Sequence, residues 1–127
     1  MDLKIKGKNA FITGGTRGLG LASLKSLASE GVNIAFCSRS EDGVNETTKH
    51  LSKLGVKYYG FVHEINSNDK NINELVAKLN NNFGDIDILV NNVGGSLGSS
   101  SLLDNEIETY MNVFNINFWA SLKLMKI

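Results

Sequence analysis

Short continuous apolar runs alternate along the chain with longer stretches in which apolar residues recur every three or four positions. Asn9-Ala10-Phe11-Ile12-Thr13 predicts a buried strand, closed by glycines at 14, 15, 18 and 20. Residues 18–30 then carry Leu21, Leu24, Leu27 and Ala28 at helical spacing, and Gly31 stands where a helix C-cap belongs. Residues 32–37 predict a second strand. Ser40 or Asp42 is placed to cap the helix that follows, with Leu51 and Leu54 near its end and Gly55 stopping it. Residues 56–62, with Tyr58, Tyr59 and Phe61, predict a third strand. Asn68 or Asp69 opens a helix whose Ile72, Leu75, Val76, Leu79 and Phe83 share one face, and Gly84 ends it. Residues 86–90 predict a fourth strand, followed by a Gly/Ser loop over 94–101 and a last helix from about Leu103.

Four strand–helix alternations with short connections imply parallel strands, because each helix must serve as a crossover, right-handed by strong precedent. The expected fold is an α/β, doubly wound parallel sheet. A closed eight-unit barrel would need about twice this chain. The last helix is apolar on nearly every side from Val113 and reaches Ile127 without a capping Gly, Asn or Pro. An all-round apolar helix must be covered on both faces. The reading preferred is a fragment; the alternative is a short protein that dimerises through this helix.

Composition narrows the classes. The 127 residues suit one domain. Thirteen basic residues balance 13 acidic ones, which removes the electrostatic case for nucleic acid or an anionic membrane. The single cysteine, Cys37, permits no intrachain disulfide and reads as a small buried apolar residue. No apolar run approaches the ~20 residues of a membrane span, and the residues after Met1 do not form a secretory leader. A cytoplasmic location is expected.

The candidate chemistry begins at Thr13-Gly14-Gly15-Thr16-Arg17-Gly18-Leu19-Gly20, between the first strand and the first helix. Glycines let backbone N–H groups approach an anion, and the helix start supplies unsatisfied donors and a positive dipole end, so a diphosphate suits the loop. Glycines serving only helix–sheet packing are the alternative. The spacing Gly-x-x-x-Gly-x-Gly is neither the Gly-x-Gly-x-x-Gly fingerprint nor a P-loop. Thr-Gly-x-x-x-Gly-x-Gly, with Asn91-Asn92-Val93-Gly94 after the fourth strand and Tyr110-Met111-Asn112-Val113-Phe114-Asn115-Ile116-Asn117 in the last helix, resembles the short-chain dehydrogenase/reductase family. Val93 departs from the alanine of that family's Asn-Asn-Ala-Gly motif. The resemblance implies a Rossmann-type sheet of order 3-2-1-4. Residues 1–127 would then form a partial NAD(P)-binding domain, with the later strands and the catalytic half missing.

The end of the second strand is where such folds meet the adenosine ribose, with an acid for the 2′-hydroxyl of NAD or a basic residue for the 2′-phosphate of NADP. The residues there are Cys37-Ser38-Arg39-Ser40, without a carboxylate at the expected point. Arg17 and Arg39 are the only arginines among the 13 basic residues. Guanidinium forks match phosphate oxygens, and Ser38 or Ser40 adds a hydroxyl. NADP is therefore expected rather than NAD; two solvated arginines are the plainer alternative. The resemblance further implies that Glu64, where the family usually has Asp, bonds the adenine amino group and that Ile65 packs on the ring. It places Gly14, Thr16, Gly18, Leu19, Gly20, Asn91, Val93 and Gly94 along the cofactor. His63 reads as a loop histidine with no partner evident, and His63 with Glu64 makes no metal motif.

By the same resemblance, hydride passes between nicotinamide and the carbon of a small carbonyl or alcohol substrate. A Tyr acts as acid/base beside a Lys that lowers its pKa, a Ser polarises the carbonyl and an Asn holds a relay water. Only the Asn is represented, as Asn117; an asparagine bonding its own helix backbone is the structural alternative. Tyr58, Tyr59 and Tyr110 are followed four residues on by Val62, His63 and Phe114, so no Tyr-x-x-x-Lys occurs and the isolated chain is expected to be inactive. Glycines 94, 95 and 98 are expected to leave the following loop mobile. The family also implies a homo-oligomer at full length. Two rivals stand beside this reading. Gly94-Gly95-Ser96-Leu97-Gly98 fits Gly-x-Ser-x-Gly, but both histidines precede Ser96 whereas a hydrolase needs its His afterwards. A non-catalytic dinucleotide-binding module would bind cofactor without turnover.

Overall fold

The computed structural model describes all residues, Met1–Ile127. Four strands, β1 (Asn9–Thr13), β2 (Asn33–Ser38), β3 (Tyr58–Val62) and β4 (Ile88–Val90), form one sheet in the order β3-β2-β1-β4. All three pairings are parallel, with Asn9 opposite Asn33, Ile34 opposite Tyr58 and Ala10 opposite Ile88. The expected order and the doubly wound architecture are thus present. Helices α1 (Gly18–Ser29), α2 (Glu41–Leu51) and α3 (Asp69–Asn82) are the crossovers.

Local chemistry explains the boundaries. Gly31, at φ +79°, closes α1: its N–H donates to Ala28 O at 3.0 Å and Val32 N–H to Leu27 O at 3.2 Å. Those two bonds satisfy the last carbonyls, as in a Schellman cap. Ser40 is the N-cap of α2, its Oγ accepting from Gly43 N–H at 3.1 Å. α2 stops at Leu51, short of the expected Gly55; the chain passes through tight turns, Lys53 N–H to His50 O and Leu54 N–H to Leu51 O, before Gly55. β4 begins at Ile88, later than the run over 86–90 suggests, although Asp87 N–H still donates to Asn9 O at 2.9 Å. The Asp87 carboxylate accepts from Asn9 N–H at 2.9 Å and from Lys8 Nζ at 3.3 Å.

Residues divide into two compact units. The first, Met1–Glu64 with Leu75–Asn92, holds the whole sheet. One cluster of its core is Ala10, Ile12, Leu24, Ala28, Val32, Ile34, Phe36, Val44 and Leu51, and Phe11, Leu75, Leu79 and Phe83 are buried as well. Cys37 is fully buried, as expected, and burial pushes its thiol up to about 12. His63 corrects its expectation: it is buried, its N–H extends the ladder to Ser38 O at 2.9 Å, and its ring meets the edge of Phe61.

The second unit is Ile65–Glu74 with Val93–Ile127. The single helix expected from about Leu103 is replaced by a sequence of pieces. A 3₁₀ turn (Leu102–Asp104) is followed by α4 (Ile107–Phe114), a π-helical segment (Asn115–Trp119) and α5 (Ala120–Met125). The break comes from Asn105, extended at φ −108°, whose side chain serves the preceding loop. Lys123 of α5 donates to Ser67 O at 2.6 Å and to the Asp69 carboxylate, binding this unit's segments together.

Candidate functional site

In the sheet unit, the chain order places the crevice between β1 and β4. After β1 it winds outward through β2 and β3, then returns on the other side of β1. Open α/β sheets bind ligands at that reversal, beyond the carboxyl ends of the strands. The glycine loop leaves β1 there, with Gly14 at φ +66° and Gly18 at φ +53°. Gly20 is required by close approach: a Cβ there would strike Gly14 O and lie 2.5 Å from Asn92 Nδ2.

Asn92 is what holds the loop in shape. Its backbone N–H donates to Thr13 Oγ1 at 2.9 Å, and its Nδ2 to Thr13 O and Gly14 O, both at 3.1 Å. The sequence reads Asn91 and Asn92 as hydrogen bonders at the sheet end and cofactor site; for Asn92 the partners are Thr13 and Gly14.

The two helix starts near this end of the sheet differ in charge. α2 is closed by the Ser40 cap and carries Glu41 and Asp42 in its first turn. α1 has no side-chain cap at Arg17 and no acid in its first turn, Gly18, Leu19 and Gly20. Nothing lies within 4 Å of a Cβ built on Gly18, and Leu19 is 81% exposed. An open helix start with uncompensated donors and dipole fits a phosphate group. The residues present therefore suit a dinucleotide diphosphate.

Around the ends of β2 and β3 the predicted residues come together. Thr16 Oγ1 and Ser38 Oγ share a hydrogen bond of 2.8 Å, and Ser38 Oγ accepts from Ser40 N–H at 3.3 Å. Ser40 Oγ accepts one bond in the α2 cap, and its O–H remains a donor for another partner. Arg39 Nη1 lies 3.8 Å from Glu64 Oε1, both side chains being mostly exposed. Arg17 is exposed on the glycine loop. Asn91 is exposed just beyond β4.

The remaining predicted residues belong to the second unit. Ile65 is buried, so little apolar surface is left for a ring to pack on. Val93 is half-buried and Gly94 exposed. Asn117 lies in the π-helical segment, where Ala120 N–H reaches back five residues to Asn115 O. Its Nδ2 donates to Gly95 O at 2.7 Å and Val113 O at 2.9 Å, while Oδ1 accepts from Gly95 N–H at 2.9 Å. Both amide hydrogens are thereby committed, and the self-helix bond weighed as an alternative is present. A Cβ on Gly94 would strike Asn117 Oδ1, so this glycine is matched to this asparagine.

The loop over 94–101 is hydrogen-bonded to two asparagines, Asn117 and Asn105. Asn105 Oδ1 accepts from Ser99 N–H at 2.8 Å, and its Nδ2 donates to Ser99 O at 2.7 Å and Ser101 O at 2.9 Å. Tyr110 OH donates to Leu102 O at 2.8 Å. Asn105 had no distinguishing mark in the sequence. No group of three or more His, Cys, Asp or Glu side chains is arranged to hold a metal ion.

Comparison with known proteins agrees with this geometry. The family described as short chain dehydrogenase matches residues 8–127. General stress protein 39 of Bacillus subtilis is 36% identical over 124 residues, spanning 97% of this chain and 43% of that protein. The L-rhamnose 1-dehydrogenase (NADP(+)) of Thermoplasma acidophilum is 48% identical over 56 residues, 43% of this chain and 22% of that protein. Among solved structures, L-sorbose reductase from Gluconobacter frateurii, complexed with NADPH and L-sorbose, superposes with a TM-score of 0.90 at 29% identity. That match covers 99% of this chain and 48% of that one. Actinorhodin polyketide ketoreductase with NADPH gives 0.83 at 30% identity, over 94% of this chain and 45% of that one. The chain thus spans less than half the length of the relatives it matches. With the family matched over residues 8–127 and the fold shared with its solved relatives, the chain belongs to the short-chain dehydrogenase family of oxidoreductases.

Proposed function

We propose that residues 1–127 form the cofactor-binding half of an NADP(H)-dependent oxidoreductase acting on a small carbonyl or alcohol substrate. The observation that carries this reading is the grouping at the ends of β2 and the glycine loop. Both arginines of the chain, Arg17 and Arg39, stand there with Thr16, Ser38 and Ser40, and no carboxylate occupies the end of β2. The cofactor supplies the hydride when bound. Gly14, Gly18, Leu19 and Gly20 line the start of α1 for its diphosphate, Arg17, Ser38, Arg39 and Ser40 take the 2′-phosphate, and Glu64 accepts from the adenine amino group. Ile65, Asn91, Val93 and Gly94 complete the assignment, Ile65 through its small exposed margin. Asn117 acts as a positioning residue, since its amide holds Gly95 and Val113.

The NADPH complexes of the two similar reductases and the NADP(+) of the rhamnose dehydrogenase support the choice of cofactor. The chain contains no Tyr-x-x-x-Lys, so alone it binds cofactor without turnover. Exposed Ile107, Met111, Phe114 and Phe118 follow one another at helical spacing, which supports an oligomer at full length.

Arg39→Asp tests the assignment. A charge-assisted hydrogen bond contributes about 1.5–3 kcal/mol, or about ten- to more than a hundredfold in affinity. The substitution should weaken NADPH by that factor and NADH far less. Equal loss for the two cofactors would refute the role of Arg39.

A further inference from the structure

The two arginines are electrostatically unequal. Arg17 has no ion pair, whereas Arg39 Nη1 stands 3.8 Å from Glu64 Oε1. The pairing follows from the sheet. β2 and β3 run parallel with Ser38 opposite Val62, and His63 N–H continues the ladder to Ser38 O at 2.9 Å. Arg39 and Glu64 therefore leave neighbouring strand ends on a diagonal, and the contact needs no distortion of either strand. The side chains remain 67% and 74% exposed, so an incoming anion reaches Arg39 without displacing packed groups.

We infer that Glu64 is a specificity-determining residue that restrains binding of the 2′-phosphate by competing for Arg39. This inference rests on the cofactor assignment above. A guanidinium facing a carboxylate presents less net charge to a phosphate dianion, and its Nη donors are shared between two acceptors. Arg17 supplies the uncompensated charge, while Arg39 and Glu64 together set how far NADP is preferred over NAD. The long, exposed, single-contact geometry makes the restraint small: surface pairs of this kind correspond to about two- to fivefold in affinity.

The test is Glu64→Gln in the natural-length protein, read with 2′,5′-ADP and 5′-ADP as probes by isothermal titration. Glutamine keeps a carbonyl acceptor for the adenine amino group, removes the charge and replaces the other acceptor oxygen by an NH2 donor. The expected result is that 2′,5′-ADP tightens about two- to fivefold relative to 5′-ADP, any change at the adenine being common to both probes. In an Arg39→Ala background the same substitution should bring no gain. An unchanged or lowered preference for 2′,5′-ADP over 5′-ADP, or a gain in that preference that persists without Arg39, would overturn the inference. If the unsubstituted protein binds 5′-ADP and 2′,5′-ADP equally, the NADP assignment itself fails, a distinct outcome.

Discussion

At the residue scale, one asparagine in each compact unit holds backbone with its side-chain amide. Asn92 bonds Thr13 and Gly14, and Asn117 bonds Gly95 and Val113. Each stands against a glycine whose missing Cβ makes room for it, Gly20 and Gly94 respectively. Gly94→Ala should therefore be destabilising by about 1–3 kcal/mol, the usual range for overpacking. Because the collision is with Asn117 Oδ1, the effect should shrink in an Asn117→Ala background, and a double-mutant cycle in urea checks the coupling. Additive losses would show that the two residues do not meet. Cys37 gives a second residue-scale prediction. With its thiol pushed up to about 12 by burial, it should resist alkylation at pH 8 in the folded protein and react once the protein is unfolded.

At the element scale, the alternation of strands and helices was legible in the sequence because short buried runs and 3.6-residue periodicity are local signals. The caps were legible for the same reason. Ser40 and Gly31 act within a few residues of themselves. What escaped was decided by partners far along the chain. The π-helical segment hides in an apolar run, and the bonds that brace Asn117 reach a residue 22 positions away. Asn92 meets Thr13 across 79 positions. The Asp87 carboxylate likewise accepts from Asn9 N–H, 78 positions distant. Two predictions belong here. Ser40→Ala should cost about 1 kcal/mol through loss of the α2 cap, readable as a lower urea midpoint. Asp87 is held below the usual carboxylate range by the Asn9 N–H and then by Lys8. A depressed folded-state pKa means its stabilising contribution is complete above the unfolded value and disappears as pH falls through the folded one. Asp87→Asn should therefore flatten the acid limb of a stability–pH curve and leave the slope above about pH 5 unaltered. An unchanged acid limb would remove the carboxylate from this role.

For the whole molecule, the order β3-β2-β1-β4 puts a reversal of winding beside the glycine loop, and a family of oxidoreductases uses that arrangement. No helix of the structure is long and apolar enough to cross a membrane. The cofactor side of the account was readable from the sequence because its residues are contiguous at three strand ends. The Arg39–Glu64 contact was not, since it arises only when β2 and β3 align. The most direct test of the central claim is to titrate the natural-length protein with NADPH and NADH side by side and compare dissociation constants. The account predicts NADPH tighter by about tenfold or more, the value of at least one charge-assisted bond to the 2′-phosphate. Equal binding, or tighter binding of NADH, would contradict it.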